Sequence, residues 1–121
     1  MENNISFLID VLTILPENVD CFIQAPSLED KYILNLMINT KLDYYKQIKI
    51  NKIVKQEIIK RIKNFPITQY FQSIVIYIND IKIFEGYDGF EYGIISKNLS
   101  LPSWFKTKHI ITENCSISKD W

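Results

Sequence analysis

The first fifteen residues place apolar side chains at helical spacing. Between residues 4 and 15, Ile5, Leu8, Leu12 and Leu15 recur every three or four positions, which lines them up along one side of a helix. Pro16 follows directly, and a proline disfavours the helical conformation for the residue before it. The pattern predicts a helix over residues 4–15.

Two more segments have helical patterns. Ser27 is followed three residues later by Asp30, a spacing that resembles a capping box, so we predict a second helix from Ser27. The segment "KLDYYKQI" at 41–48 is interpreted as a short continuation of it. Asn51 is a predicted N-cap for a third helix, which carries apolar residues at helical spacing up to Phe65 and ends before Pro66.

The period changes after Pro66. The segments "SIVIYI" and "IKIFEG" are rich in β-branched and aromatic residues, and Asn79–Asp80 between them suits a two-residue hairpin turn. A third strand is predicted at "EYGIISKN", a short helix at "LPSWFKTKH" and a last strand at "CSISKDW". The predicted fold class is α+β, with about three N-terminal helices followed by an antiparallel sheet of three to four strands and a short helix before the last strand. No linker divides the chain, so residues 1–121 are predicted to form a single domain.

Charge is balanced over the whole chain and uneven along it. The 121 residues include 14 basic and 14 acidic ones. Residues 1–30 contain six acidic residues and no basic one, whereas residues 41–63 contain eight basic residues and two acidic ones. This distribution predicts two surfaces of opposite sign.

The apolar runs and the two cysteines indicate where the protein is located. The N-terminal apolar run has no basic residue before it, and no run approaches the roughly 20 apolar residues that span a bilayer. Cys21 and Cys115 do not have the spacing of a metal site or of a disulfide framework. We therefore predict a cytoplasmic protein without membrane contact.

All three glycines of the chain lie in one stretch, "FEGYDGFEYG" at 84–93. The simplest interpretation is a turn at "GYDG" between two strands, with Gly93 at a bulge or a position of close packing. Phosphate binding is excluded because carboxylates at 85, 88 and 91 would repel an anion and no lysine lies within the stretch. Metal binding and acid–base catalysis also lack a pattern, and His109, the only histidine, is interpreted as a surface residue. We predict no enzymatic activity, no cofactor and no metal.

The same stretch has the composition of a protein-binding surface. Aromatic side chains dominate the energetically important positions of interfaces, and carboxylates would attract a basic partner. A nuclease active site is one such partner, because it must be basic to hold nucleic acid. We expect Asp88 and Glu91 to be exposed, and Trp104 and Phe105 to belong to the core. The predicted partner-binding residues are Glu85, Tyr87, Asp88, Phe90, Glu91 and Tyr92.

Residues 83–121, which include "IFEGYDGFEYGIISKNLSLPSWFKTKHI" and "CSISKDW", resemble the C-terminal part of small bacterial immunity proteins. Those proteins neutralise polymorphic or contact-dependent toxins in the cytoplasm. The resemblance covers about a third of the chain and no named family. It implies a non-enzymatic inhibitor that binds a cognate toxin domain tightly and one to one.

The basic segment offers an alternative function. A regulator that associates with nucleic acid could use the polar face of helix 51–63 for phosphate contacts. The simpler interpretation is a solvated amphipathic helix, because only one arginine is present and arginine is the favoured base reader. The face could also bind an acidic patch on a toxin or on a second copy of this chain, so a homodimer stays open. The residues concerned are Lys52, Lys55, Lys60, Arg61 and Lys63.

Overall fold

A computed structural model describes residues 2–42 and 44–121 of the chain. The elements follow one another as α1 (Asn3–Ile14), β1 (Val19–Gln24), α2 (Lys31–Leu36), β2 (Ile38–Asn39), β3 (Lys46–Ile50), α3 (Lys52–Asn64), β4 (Ser73–Ile78), β5 (Ile81–Tyr87), β6 (Tyr92–Ile95), α4 (Ser103–Phe105) and β7 (Cys115–Ile117). A 3-10 turn, Thr68–Tyr70, precedes β4, and a π-helical turn, Lys106–Ile110, follows α4. None of these helices is long and apolar enough to cross a membrane.

The strands form one seven-stranded sheet in the order β2-β3-β1-β4-β5-β6-β7. All neighbours are antiparallel except β6 and β7, which are parallel and are joined through the α4 region. The predicted sheet of three to four strands after the helices is therefore wrong. The difference arises in the N-terminal half, where β1 and β3 alternate with helices. Cys21 of β1 pairs with Ile48 on one side and Ile76 on the other, so a central strand depends on partners distant in sequence.

The predicted helices correspond to the structure to different degrees. α1 confirms the first, and α3 confirms the third, where Asn51 Oδ1 accepts a hydrogen bond from the Val54 amide at 2.9 Å. The second is shorter than predicted: Asp30, not Ser27, is its N-cap, and it accepts from the Ile33 amide at 3.0 Å. The predicted helical continuation at 41–48 is wrong where the structure describes it, because β3 begins at Lys46; Asp43 lies outside the described residues.

The predicted hairpin between "SIVIYI" and "IKIFEG" is confirmed. Asn79 and Asp80 have φ values of 48° and 66°, the left-handed conformation that a type I′ turn requires at both central positions. The short helix and the last strand near the C-terminus are also present.

The helices pack on one face of the sheet, here called the covered face. Apolar residues of α1, α2 and α3 line one small gap together with Ile23, Ile48 and Ile74 from the strands. Farther along, the Phe7 ring lies 5.8 Å from the Phe84 ring and 6.5 Å from the Phe105 ring. The fold is thus a two-layer arrangement in which strand alternation leaves the other face of the sheet partly exposed.

Glycine allows the closest approach on the covered face. A Cβ atom on Gly93 would lie 2.7 Å from Phe84 Cζ and 2.9 Å from Phe7 Cζ, so a side chain there would force these rings to move. The predicted close packing at Gly93 is confirmed. The prediction that Gly86 belongs to a turn at "GYDG" is wrong, because Gly86 lies within β5.

Candidate protein-binding face

The face of the sheet opposite the helices, here called the open face, is built from the alternate residues of each strand. The strand register places a continuous row of its side chains next to one another across six strands. That row consists of Gln47, Phe22, Val75, Glu85, Ile94 and Ser116. Each of these residues is partly exposed, in contrast with the buried residues of the covered face.

A second row of the open face is rich in tyrosine. Tyr87 and Tyr92 are direct cross-strand partners, and their rings stack with centroids 6.5 Å apart. The Tyr92 hydroxyl lies 2.7 Å from Ser116 Oγ, and the Tyr45 hydroxyl lies 2.8 Å from Ser73 Oγ. These hydrogen bonds hold the tyrosine rings in fixed positions while leaving ring surface exposed.

Glu85 is the charged centre of this network. Lys82 Nζ donates to Glu85 Oε1 at 2.6 Å, and the Tyr87 hydroxyl donates to Glu85 Oε2. Partial burial alone would raise the pKa of Glu85, but the hydrogen bonds from Lys82 and Tyr87 and the lysine charge outweigh it, so the pKa is lowered. Burial, followed by the hydrogen bond to Glu85, raises the pKa of Tyr87 to about 12. Glu85 is therefore ionised and Tyr87 neutral at physiological pH.

The turn after β5 has an unusual backbone. Asp88, Gly89 and Phe90 all have positive φ, at 52°, 66° and 66°. The amides of Asp88 and Gly89 donate to the carbonyls of Gln72 and Phe71, both at 2.9 Å, which ties the turn to the segment before β4. The predicted turn therefore exists, with Gly89 as its glycine, and its left-handed conformation directs Phe90 away from the surface.

The predicted partner-binding residues separate into three groups. Glu85, Tyr87 and Tyr92 lie together on the open face. Asp88 and Glu91 are exposed on the adjoining turn, as expected. Phe90 is only 1% exposed and packs against Phe7 and Phe84, so it supports the turn from within the core and offers no surface to a partner.

A cavity of about 550 Å³ lies at the other end of the open face. It forms between the strands β1, β3 and β4 and residues 40–42 and 45, which precede β3. Its lining residues are Asp20, Phe22, Thr40, Lys41, Leu42, Tyr45, Gln47, Val75, Tyr77 and Asp80. Sequence reasoning missed this site because it did not predict β1 or β3; the alternation of Val19, Cys21 and Ile23 was the available signal.

Two basic residues of helix α3, Lys55 and Arg61, form contacts within the protein. Arg61 forms ion pairs with Asp30 at 3.1 Å and Glu57 at 3.3 Å, and it lies over the Tyr32 ring. The hydrogen bond to Asp30 raises the pKa of Arg61 further. Lys55 Nζ donates to the Leu15 carbonyl at 2.7 Å and joins α3 to the end of α1. Of the residues considered for phosphate contacts, Lys52, Lys60 and Lys63 are exposed.

His109 is buried, which corrects the interpretation of it as a surface residue. Its Nδ1 accepts from Asn114 Nδ2 at 2.8 Å, and its Nε2 donates to Asp10 Oδ2 at 2.7 Å. Phe7 and Phe105 pack against the ring. With no solvent exposure, the imidazole links α1 to the α4 region. Phe105 is buried as predicted, whereas Trp104 is 45% exposed, so its assignment to the core is wrong.

Within residues 2–42 and 44–121, no three histidine, cysteine, aspartate or glutamate side chains are placed to hold a metal ion. Cys21 and Cys115 are buried free thiols, and burial raises the pKa of Cys115 to about 12. A scan against models of known protein families, a search of curated proteins and a search of solved structures each found no match.

Proposed function

We propose that this chain is a cytoplasmic bacterial immunity protein that binds and neutralises a cognate toxin domain through the open face of its sheet, without enzymatic activity. The observation that supports the proposal best is the partly exposed aromatic surface that crosses the sheet. Phe22, Tyr77, Tyr87 and Tyr92 belong to it. The Phe22 and Tyr77 ring centroids lie 5.5 Å apart, and the Tyr87 and Tyr92 rings stack with centroids 6.5 Å apart.

Such a surface has the properties of an interface before its partner arrives. Tyrosine offers a large contact area at a low cost in conformational entropy, and hydrogen bonds such as that of Tyr92 to Ser116 reduce this cost further. The exposed carboxylates of Asp88 and Glu91 adjoin the surface. They would accelerate association with a basic partner, and a nuclease active site is a partner of that kind.

The test is complex formation with the product of the neighbouring reading frame, measured by co-purification, calorimetry and rescue of growth where that product is toxic. We expect a one-to-one complex in which Tyr92→Ala weakens binding by about 30-fold, the effect of a hot-spot residue. The double reversal Asp88→Lys with Glu91→Lys should slow association and leave folding unchanged.

The matched control is the charge reversal Lys52→Glu with Lys60→Glu, which changes exposed residues of α3. Under the proposal it leaves toxin binding unchanged. If instead it abolishes salt-dependent retention on DNA while no complex with the neighbouring product forms, the nucleic-acid alternative replaces the immunity function.

A further inference from the structure

We propose that the cavity on the open face binds the side chain of an arginine from the partner protein. This inference rests on the proposed function and adds to it the chemistry of the contact. It is carried by an unpaired carboxylate, by the aromatic walls around it and by the size of the cavity.

The unpaired carboxylate is that of Asp20. The other half-buried acidic residues of the described ranges each form an ion pair with a lysine or an arginine; these are Asp10, Asp30, Glu57 and Glu85. Asp20 forms no ion pair in the described part of the chain. Its one side-chain hydrogen bond is a long contact of 3.4 Å from Gln47 Nε2. A partly buried carboxylate that has no ion-pair partner attracts an incoming positive charge more strongly than one that is already paired.

Two lysines of the chain are near Asp20 and leave it unpaired. Lys49 is its cross-strand partner on β3, and Lys41 lines the cavity. Both are exposed, and neither forms an ion pair with Asp20 or with Asp80, the second carboxylate of the lining. The two carboxylates therefore remain available to a group that enters the cavity.

The cavity walls are suited to a guanidinium group. The rings of Phe22 and Tyr77 lie 5.5 Å apart at 87°, and Tyr45 contributes a third ring to the lining. A planar guanidinium stacks on aromatic faces and forms paired hydrogen bonds with carboxylates, and a lysine ammonium does both less well. A volume of about 550 Å³ admits a long side chain together with adjoining backbone.

The surroundings resemble the apolar part of an interface. Leu42, which lines the cavity, is 51% exposed, and Ile81, next to Asp80 at the hairpin tip, is 66% exposed. When a partner covers these side chains it excludes water from the ion pair, which strengthens the attraction between its charges.

The first experiment uses the full chain and a probe that needs no partner. N-acetyl-arginine methylamide is titrated against the labelled protein by NMR, and the neutral citrulline analogue is the matched control. We expect shift changes that cluster at Asp20, Phe22 and Tyr77 with a dissociation constant in the millimolar range, and none with citrulline. Absence of cavity shifts with the arginine probe, or equal shifts with citrulline, would overturn the inference.

Variants separate the cavity from the rest of the face. Asp20→Asn should weaken the affinity for the arginine probe by about ten-fold, and Asp80→Asn should weaken it less. Asp88→Asn, at the other end of the open face, should leave the affinity unchanged. Asparagine tolerates the positive φ of Asp80, so this variant stays testable if Asp20→Asn unfolds the protein.

The outcomes distinguish this inference from the proposed function. If the complex with the neighbouring product forms and Asp20→Asn and Asp80→Asn leave its affinity unchanged, the arginine site is wrong and the immunity function stands. If the arginine probe binds the cavity but no complex forms, the site stands and the toxin is the wrong partner.

Discussion

The two faces of the sheet use the same strands in opposite ways. On the covered face, residues such as Phe84 and Ile76 are fully buried. The packing there depends on the shapes of the side chains, because the rings of Phe84 and Phe7 occupy the space that a side chain at Gly93 would need. On the open face, residues such as Glu85 and Tyr87 are partly exposed and are held by hydrogen bonds and charge. We infer that stability resides mainly in the covered face, while the proposed function assigns binding to the open face.

The largest effect on stability is expected from Phe84→Ala. Phe84 is fully buried and packs against Phe7 and Phe90, so its truncation should lower the free energy of unfolding by about 3–5 kcal/mol. Tyr92→Ala, on the neighbouring strand of the open face, should cost less than about 1 kcal/mol. Urea denaturation measures both. Similar losses in the two variants would contradict the division between the faces.

Gly93→Ala should cost about 1–3 kcal/mol, because the added methyl group forces the Phe84 and Phe7 rings to move within a packed core. Ser116→Ala is its control on the adjacent strand, where the side chain points to the open face, and should change stability by less than about 0.5 kcal/mol. The measurement is the shift in urea midpoint. A neutral Gly93→Ala would mean that the covered face is packed less tightly than these distances indicate.

Asp10→Ala should cost about 1–3 kcal/mol, since it leaves the buried Nε2–H of His109 without its acceptor. Lys108→Ala removes the other partner of the same carboxylate, but Lys108 is 47% exposed at its side chain and its loss should cost less than about 0.5 kcal/mol. Thermal unfolding at neutral pH compares the two. Equal losses would argue that the ion pair, not the buried imidazole, fixes α1.

A small effect is expected from Tyr87→Phe, seen in the pH dependence of stability. The folded-state pKa of Tyr87 is raised to about 12 from 10.0, so its contribution is complete below pH 10 and is lost as the pH rises through 12. The wild type should lose stability over this window more steeply than the variant, by less than about 1 kcal/mol because the group is partly exposed. Parallel pH profiles of the unfolding free energy would show that the hydroxyl has no such role.

At low pH the open face should weaken through Glu85. Its pKa is lowered in the folded state, so its contribution is present above the unfolded-state value of about 4.5 and is lost as the pH falls through the folded value. Glu85→Gln should flatten the acidic limb of the stability profile. An unchanged acidic limb would show that the pairing with Lys82 is too exposed to matter.

The elements that sequence reasoning found are those encoded by contiguous residues. The period of α1 and α3 and the Asn79–Asp80 turn are local signals, and the structure contains all three. The strands β1 and β3 were missed because their stability comes from pairing across about 27 residues of chain, as between Cys21 and Ile48.

The same limit applies to the candidate site. Glu85, Tyr87 and Tyr92 entered the predicted set because residues 84–93 combine aromatic and acidic side chains, and the period of two along β5 and β6 places these three on the open face. The burial of Phe90 depends on a positive φ that a non-glycine residue seldom adopts, so the sequence did not indicate it. The cavity needs β1, β3 and β4 side by side and could not be anticipated before they were placed.

The two edge strands of the sheet affect whether copies of this protein can pair edge to edge. The outermost strands are β2, with two residues, and β7, with three. An unpaired strand edge can recruit another chain through its free backbone groups. Among the described residues, β2 pairs with only Lys46 and Gln47 of β3, so the edge continues along Ile48–Ile50, where the exposed Lys49 opposes pairing with a second chain. The short strand β7 at one edge and the exposed lysine at the other therefore both limit the growth of the sheet by edge-to-edge pairing of copies.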